Sequence, residues 1–300
     1  MLSRLATVLA AFGLLTMARA EDPSTAKQKS TESTPSLAAV LAANTTTSLD
    51  RAYGSDDKQK LDIYAPKGAK NAPVVIYIHG GEWTKGDKAE VAYKPKFFIE
   101  QGYVMVSVNY RLSPAAMHPA HVNDVAAAVR WTVDHIAEYG GDPKNIVLMG
   151  HSAGCHLVVL TTLDPQYLSK VGLKAKDLRA VVAWSGGSFD LVHKAKTDEK
   201  FVGYIRNAFG TEEKAWHDAS PVNLTTYAKE CPPYLFVTAD PDGDSFKIAQ
   251  RLEKGIQQDG GRATTMILAD RTHRTANQLL GSPDDKTGAQ LMEFLRANMK

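Results

Sequence analysis

The chain has 300 residues, of which 44% are hydrophobic and 23% are charged, and its formal net charge is +2. This length and composition are typical of a globular protein with one large domain. The near-neutral charge, together with the lack of any long run of Lys and Arg in the sequence, argues against a nucleic-acid-binding protein.

The first 20 residues have the pattern of a secretory signal peptide. Arg4 lies near the start, an apolar stretch covers residues 5–17, and the small residues Ala18 and Ala20 follow. The apolar stretch is shorter than the roughly 20 residues that a transmembrane helix needs; a retained N-terminal anchor is the alternative. We predict cleavage near Ala20 and export to the periplasm or the medium, without stable membrane insertion.

Residues 21–48 are rich in Ser, Thr, Ala and Lys and poor in large apolar side chains. Such a segment buries too little apolar surface to offset the entropy lost on ordering. We therefore predict a disordered linker over 21–48 and a single domain over 49–300.

From residue 49 onward, segments typical of strands alternate with segments of helical periodicity. Strands are predicted within residues 60–66, 72–81, 103–112, 144–150, 178–186, 233–240 and 262–270. Helices are predicted within residues 93–102, 121–140, 152–163, 245–261 and 286–299. This alternation indicates the α/β class, with a mostly parallel central sheet covered by helices on both faces and a small lid insertion over residues 185–210.

Residues 150–154 read Gly-His-Ser-Ala-Gly and stand between a buried strand and a helix. A turn this sharp requires glycine on both sides, because a Cβ there would collide with neighbouring backbone. It also exposes the Ser152 hydroxyl at the positive end of a helix dipole. A purely structural turn is the alternative; we predict that Ser152 is a nucleophile.

A second glycine-containing turn, His-Gly-Gly-Glu-Trp over residues 79–83, ends another central strand. Attack on a carbonyl creates an oxyanion, which fixed N–H donors stabilise by about 3 kcal/mol each. We predict that Gly80, Gly81 and Ala153 supply these donors; a simple glycine hairpin is the alternative. The remaining three residues of 79–83 are expected to brace the loop and shape the pocket rather than react.

A serine nucleophile needs a base and a carboxylate that orients the base. His273 lies in the loop after the last predicted strand and is the candidate base. The loop after the preceding strand contains Asp240, Asp242 and Asp244. We favour Asp244, which directly precedes a helix and could instead act as a helix cap; Asp240, nearer the strand end, and Asp242 remain open.

The sequence predicts neither a metal site nor a disulfide, and no cofactor is expected. His118, His121 and Asp124 could be taken for a metal triplet, but their spacing turns the side chains in different directions around the helix. Cys155 and Cys231 are expected at opposite edges of the sheet, too far apart to form a disulfide.

The chain order of oxyanion loop, Ser, Asp and His resembles the α/β-hydrolase fold. More narrowly, the segments HGGEW, NYRLSP, DVAAAVRW and GHSAGCHL resemble the hormone-sensitive-lipase-like esterases and their relatives, including kynurenine formamidase-like enzymes with His-Gly-Gly-x-Trp. The resemblance covers roughly residues 50 to 300. The spacing in the loop DPDGDS departs from it, and many relatives have Gly in place of Glu82.

The resemblance implies a cofactor-free serine hydrolase that cleaves small-molecule carboxylic esters through an acyl-enzyme. The substrate is expected to have a short acyl or aryl group, with acylated carbohydrate as one candidate. Aromatic lid residues could line an acyl pocket or pack in the core: Phe189, Phe201, Tyr204 and Phe209, with the aliphatic Ile205. An amidase, formamidase or peptidase with the same triad is the alternative enzyme, and a non-catalytic binding protein of this fold is the alternative from another class.

Overall fold

A computed structural model of the protein describes residues 44–240 and 243–299. The predicted signal peptide, most of the predicted linker and Asp242 lie outside the described residues. No helix in residues 44–240 and 243–299 is both long enough and apolar enough to cross a membrane.

The described chain is built on an eight-stranded sheet with the order β1-β2-β4-β3-β5-β6-β7-β8. Strands β1 and β2 are antiparallel to each other, β2 is antiparallel to β4, and the remaining neighbours are parallel. The strands are β1 (Thr45–Ala52), β2 (Lys60–Pro66), β3 (Ala72–Ile78), β4 (Val104–Val108), β5 (Gly141–His151), β6 (Ala180–Trp184), β7 (Tyr234–Thr238) and β8 (Ala263–Ile267).

Helices connect the strands. They are α1 (Lys94–Glu100), α2 (Ala120–His135), α3 (Ala153–Leu163), α4 (Pro165–Ser169), α5 (Leu191–Thr197), α6 (Glu199–Phe209), α7 (Glu213–Asp218), α8 (Asp244–Gln258), α9 (His273–Gln278) and α10 (Gly288–Asn298). Short 3-10 helices cover Ile136–Tyr139, Ala175–Asp177, Pro221–Asn223 and Thr225–Glu230.

The sheet is buried on both faces, which explains why its central strands are apolar almost without alternation. In β3, Val74, Ile76 and Ile78 join the core under α2, α3 and α8. Val75 and Tyr77 point to the other face, where the core also contains side chains of α1, α9 and α10. The predicted mostly parallel sheet with helices on both faces is therefore confirmed.

The first strand starts earlier than the predicted domain boundary. Strand β1 begins at Thr45, inside the predicted linker, and pairs with β2 from Thr45↔Pro66 onward. Its side chains are mostly exposed, so it joins the sheet through backbone hydrogen bonds rather than an apolar face. A composition rich in Thr and Ser gave no apolar signal for such a strand.

The predicted lid segment forms α5 and α6. Three of its apolar residues, Phe189, Ile205 and Phe209, are buried in the core. Trp83 packs against this segment: its ring lies edge-on to the rings of Phe201 and Phe209, with centroid distances of 5.9 and 4.9 Å.

Cys155 and Cys231 are free thiols, and Cys155 is buried.

Candidate active site

Ser152 occupies a strained turn between β5 and α3. Its backbone has φ 54° and ψ −118°, values that L-residues rarely adopt. A Cβ on Gly150 would lie 2.3 Å from the carbonyl oxygen of Gly154, and a Cβ on Gly154 would lie 2.2 Å from that of Ile78. Both glycines are therefore required for the turn, as expected from the sequence, and Ser152 is held at the N-terminus of α3.

The loop that follows β3 lies against this turn. A Cβ on Gly80 would come within 2.7 Å of the Ser152 Cβ, and Gly81 has φ 111°, so neither position accommodates a side chain. Within the described chain, the amides of Gly80 and Gly81 donate to no protein atom. The Ala153 amide, at the first position of α3, has no partner within the helix. The structure thus brings together all three predicted oxyanion donors around Ser152.

His79 braces this loop, as expected. It is buried, its Nδ1 lies 2.7 Å from the Gly80 carbonyl oxygen, and its ring stacks on Tyr110 with the centroids 4.5 Å apart. Burial lowers the pKa of His79 to about 4, so the ring is neutral at physiological pH. An uncharged His79 adds no charge beside the glycine amides, so the amide dipoles themselves would act on a developing oxyanion.

His273 is the first residue of α9 and lines the same two cavities as Ser152. Its ring lies over that of His151, with centroids 4.7 Å apart, and His151 Nε2 donates to the His273 carbonyl at 3.2 Å. Burial lowers the pKa of His273, while the negative charge of Glu82 opposes that effect. A neutral imidazole in this position can accept a proton from a hydroxyl.

The structure does not bring Asp244, the favoured acid, to His273. Asp244 starts α8, and its Oδ1 lies 3.0 Å from Nε2 of His193 on α5. Both side chains are about 40% exposed, at 41% and 44%. The Asp244 side chain is therefore turned toward the lid helix, and its assignment as the acid stays a prediction that this contact does not support.

Two other residues, Ser185 and Asp240, line the same cavity as His273. Ser185 follows β6 with φ 56°, is buried, and its Oγ lies 3.2 Å from His273 Nδ1. Asp240 follows β7 and lines a cavity together with Ser152 and His273. Sequence reasoning missed Ser185; its position directly after a central strand, at the carboxyl edge of the sheet, was the available signal.

Ser152, His273 and Glu82 line both cavities at this edge. The lid-side cavity, of about 320 Å³, is lined by Ser185–Ser188, residues 238–240 and 245, and Lys194 and Phe201 from the lid. The glycine-side cavity, of about 530 Å³, is lined by Gly80, Gly81, Gly86 and residues of α9. Ser152 therefore stands at the junction of two cavities.

Within residues 44–240 and 243–299 there is no group of three or more His, Cys, Asp or Glu side chains that could hold a metal. Two of the three residues considered above as a metal triplet have other partners: Asp124 forms an ion pair with Arg111 at 2.6 Å, and His121 Nε2 lies 2.9 Å from Ser113 Oγ. These residues brace the segment after β4, as the structural interpretation of Asp124 predicted.

Comparisons with known proteins agree with this architecture. Residues 61–248 match the BD-FAE family. Esterase LipC of Mycobacterium tuberculosis is 30% identical over 202 residues, 63% of this chain and 50% of the relative. Esterase LipQ of the same organism is 31% identical over 231 residues, 72% of this chain and 53% of the relative.

Among solved structures, a truncated carbohydrate esterase from gut microbiota superposes with a TM-score of 0.70 at 24% identity, covering 84% of this chain and 96% of that one. The chain spans about half the length of the two curated relatives. The resemblance to the hormone-sensitive-lipase-like esterases is confirmed by these matches. The chain belongs to the BD-FAE family and has the α/β-hydrolase fold.

Proposed function

We propose that the protein is a serine hydrolase that cleaves carboxylic esters. The observation that carries this proposal is the placement of Ser152 in a strained turn between two cavities, beside the unpartnered amides of Gly80 and Gly81. The esterase names of the curated relatives point to the same class of reaction.

The residues suggest the following sequence of steps. His273 takes the proton from Ser152 as its Oγ attacks the ester carbonyl, and the amides of Gly80, Gly81 and Ala153 stabilise the oxyanion. Collapse of the tetrahedral intermediate expels the alcohol, which receives the proton from His273, and leaves an acyl-serine. His273 then removes a proton from water, which attacks the acyl-serine; the second tetrahedral intermediate collapses, His273 returns the proton to Ser152 Oγ, and the carboxylic acid is released.

We propose Asp240 as the carboxylate that supports His273. It lines the lid-side cavity together with Ser152 and His273, whereas the Asp244 carboxylate is paired with His193. The Asp240 carboxylate lies directly against Gly243, where a Cβ would approach its Oδ2 to 1.8 Å. Glycine at 243 thus leaves the space in which this carboxylate lies.

The lining of the cavities favours a polar substrate with a short acyl group. The lid-side cavity is lined by the hydroxyl-bearing residues Ser185, Ser188, Ser245 and Thr238, and Phe201 is the one Phe, Tyr or Trp among its described lining residues. Hydroxyls arranged in this way can hydrogen-bond an alcohol moiety such as a sugar, while they would leave a long alkyl chain without apolar contacts. An acylated carbohydrate fits this lining.

The test is Ser152→Ala together with a fluorophosphonate probe. We expect the wild-type protein to hydrolyse short-chain p-nitrophenyl esters and to be labelled at Ser152, and the variant to lose both properties. Retention of ester cleavage by the variant, or the absence of labelling in the wild type, contradicts the proposal.

We also propose that the protein is exported and cleaved after Ala20, on the leader pattern of residues 1–20. Mass spectrometry of the protein purified from its host should give a chain that begins at Glu21. A mature chain that still begins at Met1 would overturn this proposal.

A further inference from the structure

Lys94, on α1, is buried completely, with 0% of its surface exposed. Within residues 44–240 and 243–299, no carboxylate lies within ion-pair distance of its ammonium group. Its Nζ donates to the carbonyl oxygen of Asn277 at 2.6 Å and lies 4.9 Å from the centre of the Tyr77 ring. A buried ammonium without a carboxylate costs stability, so a contribution to folding does not account for its presence.

The residue that accepts this hydrogen bond lies at the C-terminal end of α9, the six-residue helix that begins with His273. A helix this short does not hold its conformation by its own hydrogen bonds. Three buried donors hold its last turn. Lys94 reaches the Asn277 carbonyl, Tyr77 donates its hydroxyl to the Asn277 side chain at 2.7 Å, and Trp184 Nε1 donates to the Ala276 carbonyl at 2.8 Å.

The three donors come from α1, β3 and β6, so they tie α9 to both the sheet and the helix layer. The opposite end of α9 has a local cap: Thr272 and Thr275 bond to each other and are exposed or half-buried. The three donors therefore fix the C-terminal end of the helix, while His151 and Ser185 contact His273 itself, so the direction of the His273 side chain depends on both ends. A cation at the C-terminal end also matches the partial negative charge of the helix terminus.

We propose that Lys94 is a positioning residue for His273: by binding the Asn277 carbonyl, it holds α9 in the orientation that presents the imidazole to Ser152. Lys94 does not reach substrate, because Tyr77 and Asn277 lie between it and the glycine-side cavity that they line. This inference rests on the proposed function, since it assigns Lys94 a role in the same reaction.

The experiment compares Lys94→Met with the wild type. Methionine keeps an unbranched chain of similar length and removes the ammonium and its hydrogen bond. We expect kcat on a short p-nitrophenyl ester, and the rate of fluorophosphonate labelling, to fall roughly 10- to 100-fold, since small displacements of catalytic groups have effects of this size. KM should stay within about twofold, and the thermal midpoint should equal or exceed that of the wild type.

Lys96→Met is the matched control, because Lys96 lies on the same helix and pairs with Glu100 at the surface. It should leave kcat unchanged. Activity of Lys94→Met within twofold of the wild type overturns the proposal. If Lys94→Met does not fold, Tyr77→Phe decides, because it removes only the hydroxyl bonded to Asn277: a lower kcat at constant KM supports the positioning of α9, and an unchanged kcat overturns it.

Different results would contradict the proposed ester hydrolysis and the proposed positioning role of Lys94. A folded wild-type protein that neither hydrolyses esters nor reacts with the probe contradicts the proposed function. The placement of His273 can still be measured by NMR in that case: Lys94→Met should change the titration and chemical shifts of the His273 imidazole, and unchanged resonances overturn the inference about Lys94.

Discussion

The Oγ atom of Ser185 lies 3.2 Å from Nδ1 of His273. Ser185 is buried and has φ 56°, a strained value for a residue with a side chain. This strained backbone and the contact with His273 thus occur at the same residue, at the end of β6. In the proposed mechanism, this contact leaves Nε2 of His273 to accept the proton from Ser152.

Ser185→Ala should therefore lower kcat by roughly tenfold with little change in KM, because the imidazole loses a hydrogen bond that orients it. Steady-state kinetics on a short ester will measure the effect. Ser188→Ala is the control, since Ser188 lines the same cavity without a hydrogen bond to His273. An equal loss in both variants would show that the cavity hydroxyls act on substrate binding instead.

The choice between the two aspartates can be tested with a pair of matched substitutions. Asp240→Asn should reduce kcat by roughly 100-fold or more, because the imidazolium formed during attack loses its carboxylate. Asp244→Asn should stay within about threefold of the wild type, since this side chain is half-exposed and bonded to His193. The reverse order of effects would restore the original assignment of Asp244.

The sequence predicted those parts of the site that depend on local steric rules. The glycines around Ser152 and the Gly80-Gly81 pair were recognisable because the backbone leaves no room for a Cβ there. The acid could not be chosen in this way, since the direction of the Asp244 side chain depends on His193, which lies far away in sequence. Nothing in the sequence distinguishes Lys94 from a surface lysine, because its burial depends on tertiary packing that includes Tyr77 and Asn277.

Glu82 influences His273 through its charge. It lines both cavities with His273, and its carboxylate raises the pKa of the imidazole against the lowering by burial. Glu82→Gln should therefore lower the pKa of His273 further, and the acid limb of the kcat/KM profile, which follows protonation of the base, should move to lower pH.

Lys85→Met supplies the control for this prediction. Lys85 Nζ lies 3.0 Å from Glu82, so its removal leaves the carboxylate charge less compensated. The acid limb should stay in place or move to higher pH in this variant. An unmoved limb in Glu82→Gln would mean that solvent screens the carboxylate from the imidazole.

The turn around Ser152 makes a prediction about stability. Gly154→Ala should destabilise the fold by several kcal/mol or abolish expression, because its Cβ would lie 2.2 Å from a backbone oxygen that cannot move without displacing β3. Gly203→Ala is the matched control: Gly203 is exposed within α6 and has no atom within 4 Å of a built Cβ. Thermal unfolding should show that this second variant gains up to about 1 kcal/mol.

The burial of Lys94 links stability to pH. Burial lowers the pKa of its ammonium from the ordinary 10.5 to about 7. The unfolded chain then binds more protons than the folded one between these values, so the cost of burying the charge is largest near pH 7 and below, and fades as pH rises toward 10.5. The nearest titratable groups do not interfere: burial raises the pKa of Tyr77, and burial lowers that of His151, which is neutral above pH 7.

Lys94→Met has no such proton to lose. The free energy of unfolding of the variant minus that of the wild type should therefore be most positive at pH 7 and decrease steadily to pH 9.5, as measured by denaturant unfolding across this range. Lys96→Met should show no comparable trend, since Lys96 is partly exposed and paired with Glu100. A difference between Lys94→Met and the wild type that stays constant from pH 7 to 9.5 would mean that the Lys94 ammonium keeps its ordinary pKa, and that the space between α1 and α9 admits water.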